Sequence, residues 1–170
     1  MTTTPQDSIH LCLADYANPA HGAAVLALLD GYAQDPMGGG EPLSDYARTH
    51  LLEALAARPQ IFSVLAFYGS GTQQPVGLLN CVEGFSTFAC RPLINIHDLA
   101  VHSDFRGQHI GERLLQFVEQ IARQRGACKL TLEVLSGNSS ALRLYARTGF
   151  ANYQLDPSAG EARFMQKWLE

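Results

Sequence analysis

The chain is short of the features that mark several large classes of protein. Basic residues are not in surplus: 12 lysines and arginines stand against 16 acidic residues, for a formal net charge of −4 and a pI near 5.8. No general attraction to a phosphate backbone follows, so a nucleic-acid partner is not expected. No stretch approaches the roughly 18 to 20 consecutive apolar residues that cross a bilayer. Met1 to Ser8 is polar and carries no basic-then-apolar signal pattern. A cytoplasmic location without a membrane partner is therefore expected. The four cysteines, Cys12, Cys81, Cys90 and Cys128, show neither C-x-x-C spacing nor histidines at zinc-finger intervals. Reduced thiols and no metal cofactor follow from that scatter.

What is present is a chain of 170 residues, 46% of them hydrophobic, which suits a single domain over residues 1–170 with one core and excludes disorder. No internal repeat interrupts it. The one linker-like stretch, Asp35 to Pro42 with three consecutive glycines, is too short to separate domains and reads as a mobile loop.

Hydrophobic spacing sets the elements. A short strand at Ile9 to Leu13 precedes a helix from about residue 20 to 33, carried by Val25, Leu28, Leu29 and Tyr32. Ser44 can cap a second helix with an Ala47, His50, Leu51, Ala54, Leu55 stripe, ended by Arg58-Pro59. Ile61 to Tyr68 and Val76 to Glu83 read as strands of a hairpin turning at Gly69-Ser70-Gly71-Thr72, and Leu93 to Val101 as the next strand. A long amphipathic helix follows, burying Ile110, Leu114, Leu115, Val118, Ile121 and Ala122, with Gly126 as its left-handed cap. Lys129 to Leu135 reads as a strand and Ser139 to Arg147 as a helix ended by Gly149. Two strands, near Phe150 to Leu155 and Ala162 to Trp168, finish the chain. The order βααβββαβαββ predicts an α/β (α+β) fold: a mixed, mostly antiparallel sheet of about seven strands, flanked by about four helices. A right-handed crossover should place the strands at 93–101 and 129–135 parallel.

Arg106-Gly107-Gln108-His109-Ile110-Gly111 lies between a strand and the first turn of the long helix. Free backbone N–H groups and the helix dipole favour an anion there, and Arg106 adds a charge that can pair with phosphate. The segment is neither a Walker loop nor a dinucleotide fingerprint. Its glycines could equally do no more than shape a turn.

The flanks make the pattern more specific. Asp98-Leu99-Ala100-Val101 is followed by Arg106-Gly107-x-x-Ile110-Gly111 and Leu114-Leu115, and later by Asn138-x-x-Ala141-x-x-x-Tyr145-x-x-x-Gly149-Phe150. This resembles the GNAT superfamily of acetyl-CoA-dependent N-acetyltransferases. The match is close over about residues 93 to 151, while the N-terminal third agrees in its order of elements. The resemblance implies acetyl-CoA as cosubstrate, lying in a splayed opening between the two parallel strands. Its pyrophosphate would meet the N–H groups of Arg106, Gly107, Gln108, His109, Ile110 and Gly111. The backbone of Leu99 and Val101 would pair with the pantetheine amides. Asn138, Ala141 and Tyr145 would border the thiol end, and a backbone N–H at a bulge in the strand of Leu99 and Ala100 would meet the developing oxyanion. The family usually has glycine where this chain has His109, so a side chain there narrows the loop or adds a donor.

Acetyl transfer to an amine also requires proton traffic. By resemblance, Tyr145, a phenol with a reference pKa of about 10, would protonate the departing thiolate; a core tyrosine is the plain alternative. For the base, His97, Asp98 and Glu83 sit on strands that could border the acceptor cleft. Alternation places His97 and Asp98 on opposite faces unless a bulge intervenes. His97 is better matched to neutral pH, with a reference pKa of about 6.5. The stretch 96–101 also resembles the corresponding strand of spermidine/spermine N-acetyltransferases, where an acidic base stands at the position of His97. Either residue could instead be a hydrogen-bonded strand residue without catalytic work. The remaining histidines, His10, His21 and His50, read as surface or helix-face residues, and His102 as a loop residue beside the cofactor.

The expectation is a transferase moving acetyl from acetyl-CoA to a primary amine of a small molecule in a ternary complex, with a homodimer left open. A non-catalytic acyl-CoA-binding module and a protein or peptide acetyltransferase are the rivals. Retention of Tyr145 and Asn138 favours the enzyme.

Overall fold

The structure is a computed structural model describing residues 9–69 and 73–169. The residues divide into two compact units between Leu132 and Glu133. In the first unit the strands are β1 (Ile9–Leu13), β2 (Ile61–Tyr68), β3 (Gln74–Ser86), β4 (Arg91–Val101) and β5 (Leu130–Leu132). The helices are α1 (Pro19–Gln34), α2 (Asp45–Ala56) and α3 (Ile110–Gln124).

Local chemistry starts and stops these helices. The Asn18 side chain accepts the Ala20 N–H at 2.9 Å ahead of Pro19 at the head of α1. The Ser44 hydroxyl accepts the Ala47 N–H at 3.1 Å, the cap expected for α2. Helix α3 ends at Gln124 with Arg125 as its C-cap, and Gly126 follows at φ 72°, the left-handed conformation that glycine adopts at least cost.

The strands form one sheet in the order β1-β2-β3-β4-β5. The first three pairings are antiparallel and β4–β5 is parallel, as the α3 crossover requires. On one face, Ala24, Val25 and Leu28 of α1 and Leu55 of α2 cluster with Leu65, Phe67, Leu78 and Ala100. On the other, α3 buries Ile110, Leu114, Leu115, Val118, Ile121 and Ala122, the predicted stripe. Each large member contributes about 1.5–3 kcal/mol of transfer free energy. Gly77 sets how closely α3 approaches: a Cβ there would stand 2.9 Å from Leu114 Cδ1 and 3.0 Å from Ile110 Cγ2.

The second unit carries α4 (Ser139–Arg147) and a short 3-10 turn at Pro157–Ala159. Here the expected strand count is corrected. Among the described residues the sheet has five strands rather than about seven, because the stretches near 150–155 and 162–168 form none. Side chains that favour strands do not make one without a paired ladder and a packed face, and residues 151–169 are exposed throughout. Asp156 instead accepts the Ser158 N–H at 2.8 Å and its hydroxyl at 2.6 Å, closing the turn. The strand expected over 129–135 is also shorter, Leu130–Leu132. The hairpin turn at 69–72 lies mostly outside the described residues, although β2 and β3 are antiparallel as expected.

Candidate active site

Pairing between β4 and β5 runs from Ile94–Leu130 to Ile96–Leu132 and stops. Beyond it, residues 98–101 of β4 pair with β3 alone among the described residues. The ladder also breaks here: Asn80 pairs with Asp98 and Cys81 with Ile96, so His97 is the extra residue of a bulge. The condition on which His97 and Asp98 could share a face is met. His97 is exposed, whereas Asp98 is half-buried and, two residues before Ala100, shares the face covered by α1 and α2. Leu99 and Val101 follow on the stretch that β5 leaves uncovered, and the Val101 carbonyl accepts from Arg106 Nε at 3.3 Å.

Asp98 is held from the neighbouring strand. Asn80 Nδ2 donates to its Oδ2 at 3.0 Å, the Ser63 hydroxyl donates to Asn80 Oδ1 at 2.6 Å, and the Tyr16 hydroxyl lies 2.8 Å from Ser63 Oγ. Ser63 and Asn80 are the buried polar residues of the core among the described residues. From α1, Tyr32 looks toward the same carboxylate: burial first, then the charges of Asp98 and Asp35, push its hydroxyl above the ordinary phenol range. Glu83, the third candidate base, is engaged elsewhere. Its carboxylate takes Arg125 Nη1 at 2.9 Å, and that guanidinium lies 4.2 Å from the Phe62 ring centroid.

After Val101 the chain makes a 3-10 turn at Ser103–Phe105, capped by His102 Nδ1 accepting the Asp104 N–H at 3.3 Å. Gly107 follows at φ 78° and His109 at φ 60°. That left-handed geometry explains why glycine suits position 109, since any side chain there is strained. His109 Nδ1 turns aside to Glu112 at 3.2 Å, and no side chain caps α3. The helix therefore begins at Ile110 and Gly111 with its first N–H groups uncommitted to a capping side chain, which is the physical basis of an anion site. Gln108 donates to the Asp104 carbonyl at 3.4 Å.

Arg106 is not idle. Its Nη2 donates to Asp35 Oδ2 at 3.0 Å. Asp35 organises the glycine-rich loop, its carboxylate accepting the Met37 N–H at 2.9 Å and its carbonyl those of Gly38, Gly39 and Gly40 at 2.8, 3.1 and 3.1 Å. The Met37 N–H, and then Arg106, hold the Asp35 carboxyl below the usual carboxylate range. Neither this pair nor the chain behind Asp98 is visible as a motif. Ser63 and Asn80 do leave a trace, one polar residue inside each of the apolar runs 61–67 and 76–82.

In the second unit, Asn138 caps α4 by accepting the Ala141 N–H at 3.1 Å. The Phe150 N–H returns to the Tyr145 carbonyl at 2.9 Å, with Gly149 at φ 89°. The Tyr145 and Phe150 rings meet edge to face at 5.8 Å. The spacing Tyr-x-x-x-Gly-Phe is thus a helix stop that locks the tyrosine ring. Among the described residues no His, Cys, Asp and Glu side chains group so as to hold a metal ion, and no helix is long and apolar enough to cross a membrane.

This sheet, with a crossover helix that begins at a glycine-bearing turn beside a bulged and partly uncovered strand, is the fold of solved acetyltransferases. A probable acetyltransferase superposes with a TM-score of 0.79 at 19% identity, covering 95% of this chain and 99% of that one. An aminoglycoside acetyltransferase from a soil metagenome, solved with sisomicin, does so at 0.77 and 17%, covering 98% and 100%. The model of the acetyltransferase (GNAT) family matches residues 25–150, and the chain belongs to that family. It is similar to the streptothricin acetyltransferase of Streptomyces lavendulae, 41% identical over 90 residues that cover 51% of this chain and 48% of that one. Over 56 residues, 33% of either chain, it is 36% identical to the thialysine N-epsilon-acetyltransferase of Bos taurus. The chain spans about half the length of the first relative and a third of the second.

Proposed function

We propose that the chain is a single acetyltransferase domain that moves an acetyl group from acetyl-CoA to a primary amine of a small molecule, by direct attack in a ternary complex. The start of α3 carries this reading, with no capping side chain, positive φ at Gly107 and His109, and Arg106 alongside. Those residues fit a pyrophosphate: Arg106 and the N–H groups of Gly107, Gln108, His109, Ile110 and Gly111 would hold it. The β4 backbone at Leu99, Ala100 and Val101, left without a β5 partner, would take the pantetheine amides.

Acetyl-CoA, when bound, supplies an activated thioester carbonyl. Toward an amine attacking that carbonyl, Asp98 would take the surplus proton, and a backbone N–H at the bulge would meet the charge building on oxygen. By the motif that carries it, Tyr145 would give its proton to the departing thiolate, and Asn138 and Ala141 form the turn that opens its helix. Asp98 is favoured over His97 because it is half-buried and held by Asn80, whereas His97 is exposed at the bulge. The names of the relatives and of the sisomicin-bound neighbour support a small amine as acceptor.

The test is thiol release from acetyl-CoA with a panel containing streptothricin, thialysine and sisomicin. Amine-dependent release is expected. Tight acetyl-CoA binding without release for any amine would replace the enzyme with an acyl-CoA-binding module.

A further inference from the structure

We propose that Asn80 is a positioning residue for Asp98, holding one carboxylate oxygen so that the other faces the acceptor amine, and that Ser63 and Tyr16 lock Asn80 in the orientation this requires. The inference rests on the reading of Asp98 as proton acceptor.

The direction of the chain follows from donor and acceptor chemistry. An ionised carboxylate only accepts, so Asn80 must present its NH2 group to Asp98 Oδ2, at 3.0 Å. Its carbonyl oxygen then faces Ser63, whose hydroxyl must donate, at 2.6 Å. Ser63 Oγ can in turn only accept from the Tyr16 hydroxyl, at 2.8 Å. Every donor in Tyr16–Ser63–Asn80 therefore points toward Asp98, and such aligned bonds polarise one another. A flipped amide would set its carbonyl oxygen against the carboxylate, which has no proton to donate, so the carboxylate fixes the amide and the two hydroxyls align behind it. The chain is no proton wire, because an amide interrupts proton hopping; its effect is orientation and charge stabilisation.

The placement has a cost that a purely structural residue would not justify. Ser63 and Asn80 are polar side chains buried in strands otherwise lined by Val64, Leu65, Leu78 and Leu79, where apolar residues would pack without any need for partners. The bulge at His97 begins at the Asn80–Asp98 pair, so the amide grips Asp98 where the strand changes phase. The titratable groups around Asp98 are His97 on its own strand, Tyr32 of α1, Asp35 beyond α1, Cys81 beside Asn80 and Tyr16 at the far end of the chain.

The test is a set of variants assayed with the fastest amine of the panel, with acetyl-CoA affinity measured by calorimetry as the check on folding. Asn80→Ala should lower kcat about 10- to 100-fold, part of the roughly 10²–10⁴-fold that a positioned base supplies, with unchanged acetyl-CoA affinity. Asn80→Asp sets two carboxylates against each other, so the acidic limb of kcat should move to higher pH. Ser63→Ala and Tyr16→Phe should each lower kcat by a few-fold, and those losses should vanish in the Asn80→Ala background. Independently of turnover, the Asn80 side-chain 15N resonance should titrate with Asp98 and stop doing so in Asp98→Asn. Wild-type kcat and pH profile in Asn80→Ala while Asp98→Asn is impaired would overturn this inference alone. So would a silent Asn80 resonance, or a Ser63→Ala loss that multiplies with that of Asn80→Ala. Wild-type kcat in Asp98→Asn would overturn the role of Asp98 and this inference with it.

Discussion

Arg106 Nη2 stands 3.0 Å from Asp35 Oδ2, so the arginine at the head of the turn before α3 is tied to the residue around which the glycine-rich loop folds. In the proposed complex, phosphate and Asp35 would compete for, or share, one guanidinium. Its five N–H donors allow sharing, since Asp35 and the Val101 carbonyl take only two.

This pair leaves a mark on acid stability. The Asp35 carboxyl lies below its ordinary range, so the folded state holds the ionised form more firmly than the unfolded chain does. Its contribution is present above the unfolded pKa, about 3.9, and is lost as pH falls through the lower folded value. Scanning calorimetry should show the melting temperature of Asp35→Asn falling less than that of wild type between about pH 5 and 2.5. Parallel curves would show that Asp35 adds nothing.

Acetyl-CoA affinity should weaken about 10-fold in Arg106→Ala, the scale of one charge-assisted bond. Gly107→Asp should weaken it further. A Cβ at Gly107 meets nothing within 4 Å, and aspartate tolerates left-handed backbone, so the variant should fold while opposing the phosphate. Isothermal calorimetry decides, and undiminished binding in Gly107→Asp would move the pyrophosphate elsewhere.

Tyr145→Phe keeps the ring that meets Phe150 at 5.8 Å and removes only the hydroxyl. A loss of about 100-fold in kcat, with acetyl-CoA affinity retained, is expected for a missing general acid. Equal turnover would leave Tyr145 as a helix-stop residue.

His97→Gln should keep turnover and its pH profile within about 3-fold, while Asp98→Asn should lose about 100-fold or more. Profiles with two amines of different basicity separate enzyme ionisation from that of the acceptor. An acidic limb that disappears in His97→Gln would return the base to the histidine.

Gly77→Ala should destabilise the protein by about 1–3 kcal/mol, because its Cβ would lie 2.9 Å from Leu114 Cδ1, 3.0 Å from Ile110 Cγ2 and 3.2 Å from Ala66 Cβ. Chemical denaturation measures this. As Ile110 opens α3, acetyl-CoA affinity should fall too, and a variant as stable as wild type would show that the helix can shift.

What was legible from the sequence alone was whatever depends on near neighbours in the chain. The stripe of α3, the caps at Ser44 and Gly126, and the glycine-bearing turn at 106–111 are set by 3.6-residue spacing, by short polar side chains and by positive φ. These were readable because helix periodicity and capping are local. The motif residues from Asp98 to Phe150 likewise identified the family.

Pairing across the sheet was decided elsewhere. The bulge that skips His97 depends on the register between β3 and β4, and the chain from Tyr16 to Asp98 joins residues from four separate segments. Arg106 meets an aspartate 71 positions away. The two strands expected near 150–155 and 162–168 failed for the same reason: their aromatic residues state a preference, but only a partner and a covered face make it a strand. Local spacing thus determined the helices and the glycine-bearing turn before α3. The tertiary structure alone chose which carboxylate is held, by what, and where the sheet stops.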